Sequence, residues 1–223
     1  MSKRTFDIFF SAAGLLVLSP LFLLMAVLLK LSSRAPVLFR QQRIGKDGRP
    51  FCILKFRSMV VDAEKLGPSV TREGDPRITA RGRFLRRTKL DELPQLYNVL
   101  IGDMSFVGPR PEVPFYVEKY TAEQKRVLAL KPGITDLATL KFRNEEELLR
   151  RKAEGGGRVT EDGGPKTVDA DTEKFYLEYC VPRKIELNLA YAATANVWED
   201  IKIILRTLLP RVKAEGRKLK AES

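Results

Sequence analysis

The most constraining feature of the sequence is an uninterrupted apolar run near its start. From Ile8 to Leu29 the chain carries 22 residues without a charge, which is about 33 Å as a straight helix. A helix of this length can cross a bilayer, and its apolarity on all faces argues against burial in a soluble core. A cleavable signal peptide is also disfavoured, because its apolar stretch is shorter and a small-residue cleavage site follows it.

Two features favour a helix that enters and leaves the membrane on the same side. Ser19-Pro20 lies in the middle of the run, where proline removes a backbone donor and a serine hydroxyl can satisfy the freed carbonyl. Positively charged flanks stay on the cytoplasmic side of a membrane, and both ends of this run are basic. We therefore expect residues 1–34 to form a re-entrant helix-break-helix, with an ordinary proline-kinked transmembrane anchor as the alternative. The flanking basic residues are Lys3, Arg4, Lys30 and Arg34.

Charge and composition limit the chemistry of the chain. Lys and Arg total 40 against 28 Asp and Glu, and this excess predicts an anionic partner: nucleic acid, a membrane surface or a phosphorylated substrate. Histidine is absent, which excludes Ser-His-Asp and Cys-His catalysis and histidine-containing zinc sites. Cys52 and Cys180 have neither metal-site spacing nor the number needed for a disulfide framework. Any catalysis must use carboxylates, Lys, Arg, hydroxyls or a metal bound by oxygen.

Residues 35–223 are predicted to form one domain of mixed α and β structure (α+β) that is mostly helical. Residues 37–44 and 51–59 flank a polar, glycine-containing turn, which predicts a small β-hairpin. Alternation in the second strand turns Lys55 and Arg57 to the same face. Two cations on one face suit an anionic ligand.

Short helices and loops are predicted in the remaining segments. The pattern indicates helices at residues 60–66, 116–130 and 145–152. Five glycines and many charges between residues 154 and 172 predict an exposed loop. The polar, basic tail at 211–223 predicts a frayed end.

An amphipathic helix is predicted near the end of the chain. Its apolar stripe can pack on the core or lie at the membrane interface, and its tryptophan and basic flank suit either arrangement. Both interpretations stay open at this point. The stripe consists of Val197, Trp198, Ile201, Ile204, Leu205, Leu208 and Leu209.

The most informative polar feature is the pair Asp91-Glu92, which follows the densest basic stretch, residues 77–89. Asp91 suits a helix N-cap, Pro94 suits the first turn, and apolar spacing carries the helix to about Ile101. A cap and a solvated basic face explain these residues without any function. However, a helix start beside arginines also suits a phosphate, and a carboxylate there can attack phosphorus or hold a divalent metal.

Several longer strings occur in a particular order along the chain. They are Ser19-Pro20 within the apolar run, Lys55-Phe56-Arg57-Ser58-Met59, Leu85-Arg86-Arg87-Thr88-Lys89-Leu90-Asp91-Glu92-Leu93-Pro94-Gln95, Gly102-Asp103-Met104-Ser105-Phe106-Val107-Gly108-Pro109-Arg110-Pro111, and Lys131-Pro132-Gly133-Ile134-Thr135. Together they closely resemble the bacterial sugar transferases, the monotopic polyprenyl-phosphate phosphoglycosyl transferases. The resemblance covers roughly residues 1–140 and resumes near Trp198. It departs after Thr135, where Asp136 stands in place of a glycine, and this departure leaves the identity of the sugar open.

The resemblance implies a covalent mechanism at Asp91. This carboxylate would attack the β-phosphate of a UDP-sugar, release UMP and carry the sugar phosphate until undecaprenyl phosphate accepts it. Glu92 would help to hold Mg²⁺, and basic residues would bind the phosphates. The predicted substrate-binding residues are Lys55, Arg86 and Arg110 from the resemblance, with Arg57 from the strand pattern.

The resemblance also implies a location and partners. Such enzymes are monotopic proteins on the cytoplasmic face of the bacterial inner membrane, with a re-entrant helix broken at a pair that matches Ser19-Pro20. Their partners are a UDP-sugar, undecaprenyl phosphate and membrane lipids, and they catalyse the first membrane step in the synthesis of a polysaccharide, O-antigen or glycoprotein glycan. Whether the chain forms a homodimer stays open.

Two other classes compete with this interpretation. A non-catalytic, basic scaffold on a membrane surface would use Asp91 only as a cap. A nucleic-acid binder would use residues 77–89, but that class leaves the apolar run unexplained and no base-reading module is recognised. No nucleic-acid partner is therefore predicted.

Overall fold

A computed structural model describes residues 2–67, 69–142, 144–145, 147–149 and 168–209. This part of the chain is mostly helical and contains two small sheets, in agreement with the predicted class. The helices are α1 (Lys3–Val17), α2 (Ser19–Ser32), α3 (Ala80–Thr88), α4 (Gln95–Ile101), α5 (Pro114–Glu118), α6 (Leu137–Lys141), α7 (Val168–Phe175), α8 (Val181–Thr194) and α9 (Val197–Leu208).

The apolar run forms the bent helix pair α1 and α2. The two helices meet at Leu18 and are bent by 58°. Pro20 lacks the amide that would bond the Leu16 carbonyl in a continuous helix, and the Ser19 hydroxyl donates to that carbonyl at 2.8 Å instead. The predicted break is thus confirmed. Among the described residues no single helix is long and apolar enough to cross a membrane, whereas this pair together meets both criteria.

Both helices of the pair pack against the rest of the chain. In α1, the Arg4 guanidinium donates to the Val99 carbonyl at 2.6 Å and to the Leu100 carbonyl at 2.8 Å, at the end of α4. In α2, Met25 packs with Phe56 and Leu85. The outer faces of the pair expose large apolar side chains: Phe9, Leu16, Val17, Leu23, Leu24, Val27 and Leu31.

The predicted hairpin is present with a shorter second strand. Strands β1 (Leu38–Ile44) and β2 (Pro50–Phe56) pair antiparallel. The prediction that the second strand reaches Met59 is wrong, because the Ser58 carbonyl turns away and accepts hydrogen bonds from the backbone N–H and hydroxyl of Thr79. Thr79 caps α3, so the end of the hairpin is tied to the helix that precedes Asp91.

A second sheet was not predicted. Strands β3 (Ser105–Val107) and β4 (Gly133–Thr135) pair in parallel. They approach so closely that a Cβ on Gly133 would lie 2.1 Å from the Gly108 amide nitrogen. Three residues are too few for strand periodicity to show in the sequence.

Three predicted segments differ from the structure. The single helix predicted at 116–130 is divided into α5 and a 3-10 helix at Gln124–Ala129. The side-chain oxygens of Thr121 and Gln124 each accept from the other's backbone amide, and this reciprocal cap starts a new turn. The segment 60–66 contains only a 3-10 turn, Ala63–Lys65. The end of the predicted exposed loop 154–172 is helical from Val168. The remainder of that loop and the tail at 211–223 lie outside the described residues.

The stripe of α9 is divided between two environments. Asp200 and Ile203, which lie next to the stripe, are buried, whereas the stripe residues Trp198 and Leu208 are each 75% exposed. Asp200 is held inside by ion pairing with Lys3 of α1, Nζ to Oδ2 at 2.5 Å. Ile203 and the stripe residue Ile204 thus pack on the core, whereas the stripe residues Trp198, Leu205, Leu208 and Leu209 are exposed.

Gly82 of α3 allows a close approach that brings the arginine-bearing helix to the hairpin. A Cβ at this position would lie 1.8 Å from the Ser58 carbonyl oxygen, and backbone atoms cannot rotate away. We expect Gly82→Ala to destabilise the protein by about 3 kcal/mol, measured by thermal unfolding in detergent. The exposed neighbour Arg83 supplies the control, since Arg83→Ala should change stability by less than about 0.5 kcal/mol. Equal melting temperatures for the two variants would contradict the packing described.

Candidate active site

Asp91 and Glu92 lie in a 3-10 turn, Leu90–Glu92, that precedes α4. The prediction that Asp91 caps the helix is wrong, because α4 begins at Gln95 after Pro94 and no side chain caps it. Pro94 has no N–H to continue an α-helical ladder into this turn, and the Leu93 amide bonds the Leu90 carbonyl in 3-10 fashion. The carboxylate of Asp91 is therefore not engaged in capping.

Glu92 is the centre of a charged cluster. Its Oε1 accepts from Lys55 Nζ at 3.2 Å and from Arg110 Nη2 at 2.9 Å. Burial alone would raise the pKa of Glu92, but the charges of Arg110 and Lys55 outweigh it and hold the pKa well below its usual range. Glu92 is thus an anion with two cations bound to it.

The two cations respond differently to the same environment. Burial lowers the pKa of Lys55 to about 8, against the opposing effect of Glu92. The charge of Glu92 raises the pKa of Arg110, whose side chain is 39% exposed. Arg110 therefore stays charged at the rim of the cluster, while Lys55 lies deeper.

Asp91 is buried beside this cluster, and among the described residues it forms no ion pair. It is 5% exposed, and its Oδ1 is buried with no hydrogen-bond partner among the described residues. Burial and then the adjacent charge of Glu92 raise the pKa of Asp91, opposed by Lys55 and Arg86. An unpartnered buried carboxylate oxygen is costly, so its presence here points to a function that needs it.

Local structure explains how distant residues reach Glu92. Lys55 lies near the end of β2, which packs against the turn of Asp91 and Glu92. Arg110 follows β3, where the Gly133 amide donates to the Pro109 carbonyl and the Gly108 amide to the Thr135 carbonyl, each at 3.0 Å. A strand of the first sheet and a loop of the second thus supply one cation each.

Two other predicted substrate-binding residues have different surroundings. Arg86 of α3 is close enough to Asp91 for its charge to lower the pKa of that carboxyl. Arg57 follows the end of β2 and donates from Nε to the Pro36 carbonyl at 2.9 Å, which joins it to the segment after α2. A role for Arg57 in substrate binding stays a prediction.

Lys89 is a further cation near the two carboxylates that the sequence did not single out. Its charge opposes the rise in the pKa of Asp91 and contributes to the low pKa of Glu92. It adopts a left-handed conformation with φ 60°, which ends α3 and starts the turn at Leu90. Its only sequence signal is its position two residues before Asp91 in a basic stretch.

The departure from the family pattern after Thr135 has a structural explanation. Asp136 is 2% exposed; its Oδ1 accepts from the Thr139 amide and caps α6, and its Oδ2 accepts from Asn188 Nδ2 at 2.8 Å. Both oxygens are thus used to join α6 to α8. The residue that breaks the pattern thus supports the fold, and it also lines a small cavity beside Arg110.

The donor set fits a magnesium ion only in part. No group of three His, Cys, Asp or Glu side chains converges within the described ranges. Mg²⁺ commonly binds one or two carboxylates and completes its shell with substrate phosphates and water. The buried, unpartnered Oδ1 of Asp91 next to Glu92 fits that pattern.

Comparison with known proteins agrees with the predicted family. The model of the family described as bacterial sugar transferase matches residues 1–214. The UDP-glucose:undecaprenyl-phosphate glucose-1-phosphate transferase of Escherichia coli is 37% identical over 92% of this chain and 39% of its own length. A protein with the same name from Caulobacter vibrioides is 38% identical over 93% of this chain and 68% of its own.

A third relative is named for a different sugar. It is the UDP-N-acetylgalactosamine-undecaprenyl-phosphate N-acetylgalactosaminephosphotransferase of Aeromonas hydrophila, 34% identical over 92% of this chain and 42% of its own length. The chain thus spans less than half the length of the Escherichia coli and Aeromonas relatives. The predicted membership is confirmed: this protein belongs to the bacterial sugar transferases, a family of enzymes.

Proposed function

We propose that the protein transfers a sugar 1-phosphate from a UDP-sugar to undecaprenyl phosphate through a covalent intermediate on Asp91. The carboxylate attacks the β-phosphorus, the bond from this phosphorus to the oxygen bridging the two phosphates breaks, and UMP leaves. Undecaprenyl phosphate then attacks the same phosphorus and frees Asp91. The observation that carries the proposal is the buried Asp91 oxygen without a partner, next to a cluster of cations.

The charges around Asp91 support this chemistry. A carboxylate repels the anionic phosphates of a nucleotide sugar, so the site needs cations that remain beside it. Glu92 holds Lys55 and Arg110 in place through its Oε1, and Arg86 and Lys89 add positive charge near Asp91. These side chains bind and orient the phosphates, while Asp91 keeps an oxygen available for the reaction.

Asp91 and Glu92 are also the residues that would hold Mg²⁺, as the resemblance implies for Glu92. When bound, the ion would neutralise phosphate oxygens beside the two carboxylates. The raised pKa of Asp91 is consistent with a site that awaits positive charge. Lys55 and Arg110 supply part of that charge from the chain itself.

We also propose that α1 and α2 form a re-entrant membrane anchor with the catalytic part on the cytoplasmic face. Two observations support it. The pair exposes large apolar side chains on its outer face, and both of its ends contact the same domain. At one end Lys3 and Arg4 bond carbonyls of Val107 and Val99, and at the other the Val37 carbonyl after α2 accepts from the Arg57 amide.

Replacing Pro20 with Leu is expected to shift part of the population to a spanning form. Leu restores the amide that a continuous helix needs and removes the cause of the 58° bend. The measurement is labelling of a cysteine at Ser2 by a reagent that cannot cross the membrane, in a background without Cys52 and Cys180. The cysteine that replaces Ser2 should be shielded in the parent and become labelled in Pro20→Leu. A cysteine that replaces Ser33 should stay shielded in both. Labelling of Ser2 in the parent would establish a spanning anchor and contradict the proposal.

The function is tested by UMP release from purified full-length protein in detergent. The reaction contains Mg²⁺, undecaprenyl phosphate and one of UDP-glucose, UDP-galactose or UDP-N-acetylgalactosamine, because relatives of similar identity are named for different sugars. We expect UMP and a polyprenyl diphosphate sugar with one of these donors. Omission of the lipid should limit UMP to about one equivalent per active site. Absence of UMP with all three UDP-sugars, from protein that is folded, would contradict the proposed reaction with these donors.

A further inference from the structure

Asn98 on α4 bonds the backbone of β2 with its side-chain amide. The residue is 1% exposed. Its Nδ2 donates to the Cys52 carbonyl at 2.8 Å, and its Oδ1 accepts from the Leu54 amide at 3.1 Å. Both hydrogen bonds are made by the side chain, so both are lost when an apolar residue replaces Asn98.

The two bonds occupy the outer edge of β2. Its other edge pairs with β1, with Arg40 opposite Leu54 and Gln42 opposite Cys52. A carboxamide offers the same donor and acceptor as a peptide group, so Asn98 bonds this edge as a neighbouring strand would. One side chain thereby takes the place of a third strand and joins the strand to a helix.

This junction lies between the two parts of the charged cluster. Lys55 is the residue after Leu54, and the turn of Glu92 leads directly into α4, where the Leu96 amide bonds the Leu93 carbonyl at 3.0 Å. Sliding of β2 along α4 would therefore move Lys55 Nζ away from Glu92 Oε1, which it contacts at 3.2 Å. The bonds of Asn98 oppose that movement.

We propose that Asn98 is a positioning residue: by holding the edge of β2, its carboxamide sets the place of Lys55 against Glu92 and so arranges the phosphate-binding cations. It touches neither Lys55 nor Glu92 in the described contacts and acts through the strand. The effect on catalysis rests on the proposed function, whereas the effect on β2 does not.

The first measurement is amide hydrogen exchange at single-residue resolution on the full chain in detergent. In Asn98→Leu, which keeps a branched side chain but no polar group, exchange at Leu54 should accelerate at least about tenfold. The amides of Ile53 and Lys55 point toward β1 by strand alternation and should change much less. Unchanged exchange at Leu54, or equal acceleration at all three amides, would overturn the proposal.

The second measurement is a double-mutant cycle with Lys55. Asn98→Leu should lower kcat/KM about tenfold, since small misplacements of binding groups have effects of this order. In a Lys55→Met background the same substitution should lower it less than about twofold, because its target is already absent. Equal factors in both backgrounds, or no loss in the single variant, would overturn the role.

Thr207→Val is the matched control for general loss of structure. Thr207 of α9 bonds Thr135 of β4 at 2.8 Å between their hydroxyl oxygens, and it makes no described hydrogen bond to β2. This variant should leave Leu54 exchange unchanged and give equal factors in the two backgrounds of the cycle. Asn98→Ala, which is smaller and cannot clash, replaces Asn98→Leu if the latter does not fold. If wild type has no transferase activity, the proposed function fails, whereas the exchange data still decide whether Asn98 holds β2.

Discussion

Asp91→Asn is expected to abolish transfer without unfolding the protein. The amide is nearly the same size as the carboxylate, but it has no negative oxygen to attack phosphorus. Loss of the nucleophile should lower kcat by at least about 10³-fold. Because Asp91 does not cap α4, the substitution removes no helix-capping bond, and the melting temperature should change little.

The matched control is Asp47→Asn. Asp47 lies in the hairpin turn with φ 56°, a conformation that Asn adopts readily. The Asp47→Asn variant should therefore retain full activity. Substantial turnover by folded Asp91→Asn would remove Asp91 from the nucleophile role.

The same variant tests the covalent step. Wild-type protein mixed with UDP-sugar labelled in the sugar, without lipid, should retain up to one label per active site and release UMP in equal amount. Undecaprenyl phosphate should then discharge the label, and steady-state rates should follow ping-pong kinetics. Asp91→Asn should retain no label. Intersecting double-reciprocal lines with no trapped adduct on rapid quenching would instead indicate direct attack of the lipid phosphate on the nucleotide sugar.

Glu92→Gln is the second variant with a large expected effect. The substitution removes the carboxylate that binds Lys55 and Arg110, and both cations lose their described ion-pair partner. Breaking a buried ion pair by removing one partner costs about 3–5 kcal/mol, although the exposed rim position of Arg110 reduces the loss here. We expect kcat/KM to fall at least about 10²-fold, because the phosphate-binding cations lose their anchor.

The Mg²⁺ dependence of Glu92→Gln distinguishes its two proposed roles. If Glu92 also helps to hold the metal, the Mg²⁺ concentration for half-maximal activity should rise in the variant. Glu123→Gln, at an exposed site on the surface, should behave as wild type. An unchanged Mg²⁺ response with a large loss of activity would restrict Glu92 to positioning the cations.

Local features of the fold were predictable from the chain. The break at Ser19-Pro20 follows from a missing amide and a nearby hydroxyl, both within one helical turn. The hairpin follows from alternating side chains on both sides of a turn in which Asp47 and Gly48 have positive φ. Such features depend on interactions between residues a few positions apart, which the sequence displays directly.

The candidate site depended on contacts that sequence patterns do not display. Asp91 has the residue type and neighbours of an N-cap, yet Pro94 and the left-handed Lys89 place it in a 3-10 turn instead. Arg57 follows Lys55 by two positions, but β2 ends between them and only Lys55 is bonded to Glu92. Alternation of side chains along the sequence does not show where the backbone of a strand stops pairing with its neighbour.

The sequence by itself limited the chemistry open to this protein: it contains an apolar run long enough for a bilayer, an excess of cations that suits an anionic partner, and no histidine. Tertiary structure alone decided which residues meet. Lys55 from a strand, Glu92 from a turn and Arg110 from a loop converge, while Asp91 is left with a buried oxygen that has no partner among the described residues. The physical reason is that composition and local spacing act through short-range backbone chemistry, whereas burial and ion pairing arise only when distant segments pack together.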